Sequence, residues 1–131
     1  MPDRHPELAR SLLQRAGEDA YAVRMGVHDP EFPDWILGFH AQQAVEKALK
    51  AVLSAGNIEY PRTHNLQFLV DLLGSQGIAA PPRADQLARL TPFGATLRYD
   101  PTPLADTPPL DRNWAHACVQ DVLAWAGTLV A

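Results

Sequence analysis

The sequence predicts an all-α protein, a five-helix antiparallel (up-and-down) bundle. Three observations carry that expectation. Apolar residues recur at three- and four-residue steps, and no strand-like alternation of useful length occurs. Proline- and glycine-bearing stretches ("HDPEFP", "NIEYPR", "IAAPPR" and the proline-rich residues 101–109) cut the pattern into five segments. The connectors are mostly short, which favours antiparallel neighbours.

The first segment covers residues 6–27. Asp3 is placed to cap it, Pro6 is tolerated in a first turn, and Leu8, Leu12, Ala16, Ala20, Val23 and Val27 mark its apolar face. The second, residues 34–55, has the clearest pattern. It carries a seam of alanines (Ala41, Ala44, Ala48, Ala51, Ala55) beside Val45, Leu49 and Val52, and Gly56 is placed as its C′ residue. Such a seam suits a closely approaching helix, from this chain or from a second copy. The other side carries Gln42, Gln43, Glu46, Lys47, Lys50 and Ser54. Thr63 is the expected N-cap of the third helix, with Leu66, Leu69, Val70 and Leu73 inward. The fourth is expected over residues 84–97, with Leu87, Leu90, Phe93 (or Gly94) and Leu97 inward and Pro92 kinking or splitting it. The fifth, capped by Asp111, covers residues 112–130. Trp114, Cys118 (or Ala117), Val122 (or Asp121), Trp125 and Leu129 line one side.

Bulk properties narrow the functional classes. At 131 residues, a single domain over 1–131 is expected. The lone Cys118 excludes an internal disulfide and a thiolate-built metal site. The first residues mix acids with bases and lack an apolar stretch, and no run approaches a membrane span, so a cytoplasmic protein is expected. The net charge is −4 and the isoelectric point about 5.6, which argues against an extended, charge-driven nucleic-acid surface but leaves room for a local basic patch. Lys47, Lys50, Arg62 and Arg98 are candidates for that patch, against the alternative of a solvated helix face. Gln43 and Glu46 either orient it or bridge to the next helix. No glycine-rich phosphate loop, cofactor motif or metal-like spacing of ligands occurs.

Residues 39–73, "FHAQQAVEKALKAVLSAGNIEYPRTHNLQFLVDLL", resemble the HEPN family (higher eukaryotes and prokaryotes nucleotide-binding). The aromatic-His-x-x-Gln-x-x-Glu-Lys-x-x-Lys run is Phe39, His40, Gln43, Glu46, Lys47 and Lys50. The Thr-His-x-Leu signal is Thr63, His64 and Leu66, and "LRYD" resembles the Arg-Tyr pair after the fourth helix. The resemblance implies a helical bundle, frequently a homodimer, linked to RNA or nucleotides. Many members are ribonucleases, including toxins paired with a minimal nucleotidyltransferase, while others are non-catalytic binding or adaptor forms.

The ribonuclease members carry an Arg followed, after four to six residues, by a His. The His moves protons on the ribose hydroxyl or the leaving oxygen, and the Arg holds the phosphate. This chain departs there. If Arg98 is that Arg, the His should stand at 103, 104 or 105, which are Pro103, Leu104 and Ala105. The resemblance thus favours a non-catalytic nucleotide-, RNA- or partner-binding module, with Arg98 on phosphate and Tyr99 stacking a base. The bland alternative has Arg98 on helix carbonyls or Asp100 and Tyr99 packed on the bundle. Two further readings are a divergent metal-free ribonuclease using Arg98 with His64, and a plain dimeric scaffold. His64 beside its helix cap, and His40 mid-helix, each have a structural reading as hydrogen-bonded histidines.

Overall fold

The structure, a computed structural model, describes residues 4–94 and 109–130. These form an antiparallel helical bundle with no strand among the described residues: α1 (Arg4–Gly26), α2 (Asp34–Ala55), α3 (Leu66–Ser75), a 3₁₀ helix (Leu87–Phe93) and α4 (Arg112–Leu129). No helix is long and apolar enough to cross a membrane, among the described residues. α2 is the centre; α1 packs along it, and α4, the 3₁₀ helix and α3 cover the rest.

The alanine seam is an intrachain contact. Ala41, Ala44, Ala48 and Ala51 are fully buried, as are Ala9, Ala16 and Val23 of α1, while Ala55 is exposed. Small side chains on both helices allow the close approach. α1 begins at Arg4, and its buried stripe differs from the expected one: Ala9, not Leu8, faces inward, and Leu8 is 47 % exposed.

Arg112 ties the α1–α2 turn to the start of α4. Its guanidinium bonds Asp34 Oδ1 (2.7 Å) and donates to the carbonyls of Gly26 (3.1 Å), Asp29 (3.0 Å) and Phe32. Phe32 lies against Gly26, where a Cβ would stand 2.7 Å from the ring.

Three cap and boundary expectations change. Gly56 ends α2 at φ −90°, and the left-handed residue is the next one, Asn57 (φ 58°). Asn tolerates that conformation because its short polar side chain bonds locally. Asn65, not Thr63, caps α3: Asn65 Oδ1 accepts from Phe68 N at 3.0 Å, while Thr63 Oγ1 accepts from Asn65 N at 3.1 Å. The fourth helix is a short 3₁₀ segment. Pro92 lacks an N–H and in α geometry would clash with the carbonyl of residue 88, so the tighter turn replaces the α-helix. Leu87, Leu90 and Phe93 are buried there as expected, and Leu97 lies outside the described residues.

Asp111 caps α4, accepting from Trp114 N at 3.1 Å. Its buried stripe is Ala115, Cys118, Val119, Val122 and Ala126. Trp114 and Trp125 are half-buried at the edges, and Leu129, expected inward, is 44 % exposed. Burial pushes the Cys118 thiol up to about 11, so it behaves as a small core residue.

Candidate functional site

The side of α2 that reads as a solvated face is largely covered. Gln42 is fully buried, Glu46 is 5 % exposed and Ser54 is 2 % exposed. The α2–α3 connection and the start of α3 fold over them, so these polar groups form an internal network instead of meeting water.

Glu46 is the hub. Its Oε1 accepts from Gln42 Nε2 (2.9 Å) and His64 Nδ1 (2.8 Å), and its Oε2 from Lys50 Nζ (2.9 Å). Burial alone pushes the Glu46 carboxyl up. The hydrogen bonds from Gln42, Lys50 and His64, with the Lys50 charge, outweigh it and hold the group below the ordinary carboxylate value. An ionised carboxylate only accepts, so His64 Nδ1 carries the proton of this bond. In the neutral ring Nε2 is then bare, on a side chain 56 % exposed.

Gln42 is fixed at both ends of its amide. Nε2 also donates to the His64 carbonyl (3.1 Å), and Oε1 accepts from Gln43 Nε2 (2.7 Å). Gly94 lies against that amide, where a Cβ would come within 3.0 Å of Gln42 Cδ. Farther along, Ser54 Oγ shares a hydrogen bond with Tyr60 OH (3.3 Å), and the Lys50 ammonium sits 5.6 Å from the Tyr60 ring centroid. Lys50 is thus shielded, with 14 % side-chain exposure, and is more than an exposed i,i+4 partner of Glu46.

A second cluster lies on the α1 side. Asp19, 9 % exposed, accepts from His40 Nδ1 (2.8 Å) through Oδ1 and from Lys47 Nζ (2.6 Å) through Oδ2. The two clusters repeat one arrangement, a carboxylate holding an imidazole on one oxygen and an ammonium on the other. Sequence reasoning assigned nothing to Asp19. The signal was available, because Asp19 stands three residues after Ala16 and four before Val23, on the buried stripe of α1.

Between the clusters a half-open strip runs along α2: Ile36, Phe39, His40, Gln43, Lys47 and Lys50 are all half-buried. From residue 36 to residue 50 it spans about 21 Å at about 1.5 Å per residue. The strip therefore brings together Gln43, Lys47 and Lys50, with Glu46 beneath and His64 at one edge. Arg62 is exposed two residues before His64 and makes no ion pair among the described residues. Arg98 and Tyr99 lie outside the described residues. Gly94, four residues before Arg98 in sequence, is the last one described on that side.

The family model described as HEPN domain matches residues 9–125, most of the chain. No curated protein and no solved structure gives a significant match.

Proposed function

The chain belongs to the HEPN family, and on that premise we propose that it is a non-catalytic binding module for nucleotides or RNA. The half-open strip of α2 is its contact surface. The observation that carries this reading is the combination of Lys47 and Lys50 on that strip, each oriented by a shielded carboxylate. Exposed Arg62 attracts a phosphate, Lys47 and Lys50 keep N–H donors for it while Asp19 and Glu46 balance their charge, and Gln43 supplies an amide. Arg98 and Tyr99, following Gly94 in sequence, add a phosphate fork and a ring. The window that holds the family's proton-moving His holds Pro103, Leu104 and Ala105, which favours binding over cleavage. A homodimer and a minimal nucleotidyltransferase partner belong to the same reading.

A second reading has one specific support. The Glu46–His64 pair holds an imidazole as a general acid or base requires, with Nδ1 tied and Nε2 open. With Arg98 it would make a metal-free ribonuclease. Purified protein with labelled single-stranded RNA separates the readings. The binding module retains RNA without cutting it, and Arg98→Ala weakens retention. Cleavage that disappears in both Arg98→Ala and His64→Ala would replace it with the ribonuclease. Neither retention nor cleavage would leave the scaffold reading.

A further inference from the structure

Two imidazoles border the α2 strip, and each shares a buried carboxylate with a lysine. Asp19 accepts from His40 Nδ1 at 2.8 Å on one oxygen and from Lys47 Nζ at 2.6 Å on the other. Glu46 does the same for His64 Nδ1 at 2.8 Å and Lys50 Nζ at 2.9 Å. With both rings neutral, each ammonium is matched by one carboxylate. Nδ1 is committed in each ring, so a further proton goes to Nε2. The His40 and His64 side chains are 31 % and 56 % exposed, so both rings reach water. Imidazole is the side chain whose charge ordinarily changes between about pH 5 and 8. Among the described residues, neither ring has a second carboxylate as an ion-pair partner. From α1, Arg15 and Glu18 line one polar groove with Asp19 and Lys47, and their charges oppose each other. Around His64 stand Glu46 and Lys50 of α2 and the exposed Arg62 of the α2–α3 connection. Asp71 of α3 accepts from Gln67 at 2.9 Å. The 3₁₀ helix reaches the start of α3 through Thr91 Oγ1, which accepts from Leu66 N at 3.3 Å, and its Arg89 lies beside Trp114. The Glu46 carboxyl, held below the ordinary 4.5, keeps its charge across the imidazole range.

We propose that the strip is gated by pH: protonation of His40 and His64 leaves one carboxylate facing two cations in each cluster, and the surplus positive charge tightens the hold on phosphate. The proposal rests on the reading of the strip as a phosphate-contacting surface and adds its regulation. At alkaline pH the two clusters are neutral, and Arg62 with the lysine N–H groups holds the ligand. At mildly acidic pH the strip gains two positive charges, and each ring gains an Nε2–H donor. The fold accommodates the charge, because each imidazolium keeps a carboxylate bond that the neutral ring already makes, and charge strengthens that bond. By linkage, a phosphate that favours the imidazolium form also favours proton uptake.

The test uses the full chain and an oligouridine without terminal phosphates, whose own groups do not titrate in the imidazole range. Its affinity is measured by calorimetry at about pH 8 and about pH 5.5, each over a series of salt concentrations. We expect binding about five- to tenfold tighter at the lower pH. The slope of log affinity against log salt should steepen by about 1.4, since each phosphate neutralised on a single strand contributes about 0.7. His40→Asn and His64→Asn together keep an amide donor near each Nδ1 position but take up no proton, so the pH dependence disappears in the double variant. The wild type gives a check that needs no variant: the ring-proton resonances of His40 and His64 titrate, and oligouridine moves their midpoints to higher pH. Equal affinity at both pH values overturns the gate and leaves the binding reading standing. Tightening that persists in the double variant, or midpoints that oligouridine leaves in place, also overturns the gate alone. No binding at either pH overturns both.

Discussion

At the residue scale the decisive group is Glu46, a carboxylate kept ionised inside the protein by three donors. Glu46→Gln replaces an oxygen with an amide that donates where His64 or Lys50 also donates. We expect a loss of about 2–4 kcal/mol at neutral pH, read by urea unfolding, because a buried charge network loses its acceptor. The pH dependence follows from the lowered carboxyl. Its folded value lies below the ordinary 4.5, so the unfolded chain binds the proton more readily. The stability Glu46 contributes is therefore complete above about pH 4.5 and is lost as pH falls through the folded value. Unfolding curves from neutral to acidic pH should show that loss in the wild type and a shallower one in Glu46→Gln. Equal slopes would contradict the assignment. Much of this hub was legible: Glu46, Lys50 and His64 all stand in the quoted motifs. Its burial was not, because a helix with charges on one side reads as solvated until another segment covers that side. Asp19 was missed for the complementary reason, since an acid on an apolar stripe looks like an interruption until its His40 and Lys47 partners are placed.

At the scale of elements, the contact between α2 and the 3₁₀ helix sets where the candidate groups sit. Gly38 lets the Phe93 ring lie on α2, and Gly94 lies on the Gln42 amide. Gly38→Ala drives a methyl group into Phe93 and should destabilise by about 1–3 kcal/mol. Gly17 of α1 is the contrast. It is exposed within a helix, and a Cβ there meets nothing within 4 Å, so Gly17→Ala should stabilise by about 0.5–1 kcal/mol. Thermal or urea unfolding of the two variants checks both signs. Helix existence was readable nearly everywhere, since α2 matches the expected 34–55 and α4 starts after its Asp111 cap. What was not readable was local competition. Asn65 takes the cap from Thr63, and Pro92 turns an expected α-helix into a 3₁₀ segment.

At the scale of the whole molecule, Arg112 joins the ends of three helices, bonding Asp34 at the start of α2 and the turn that leaves α1. Lys cannot reproduce a planar fork with several simultaneous bonds. Arg112→Lys should therefore lower stability by about 1.5–3 kcal/mol and increase hydrogen exchange in residues 26–34 before it does so in α3. The bundle so held presents α2 as a half-open strip between two carboxylate-anchored clusters, and the functional account depends on that strip being the contact surface. The most direct test is an amide chemical-shift titration of the full chain with a short single-stranded RNA. Saturable shifts are expected along residues 36–50 and 60–64, lost in a Lys47→Ala, Lys50→Ala double variant and weakened by added salt. Saturable shifts confined to other faces, such as the exposed side of α3 around Phe68 and Asp71, or no shifts at all, would contradict it.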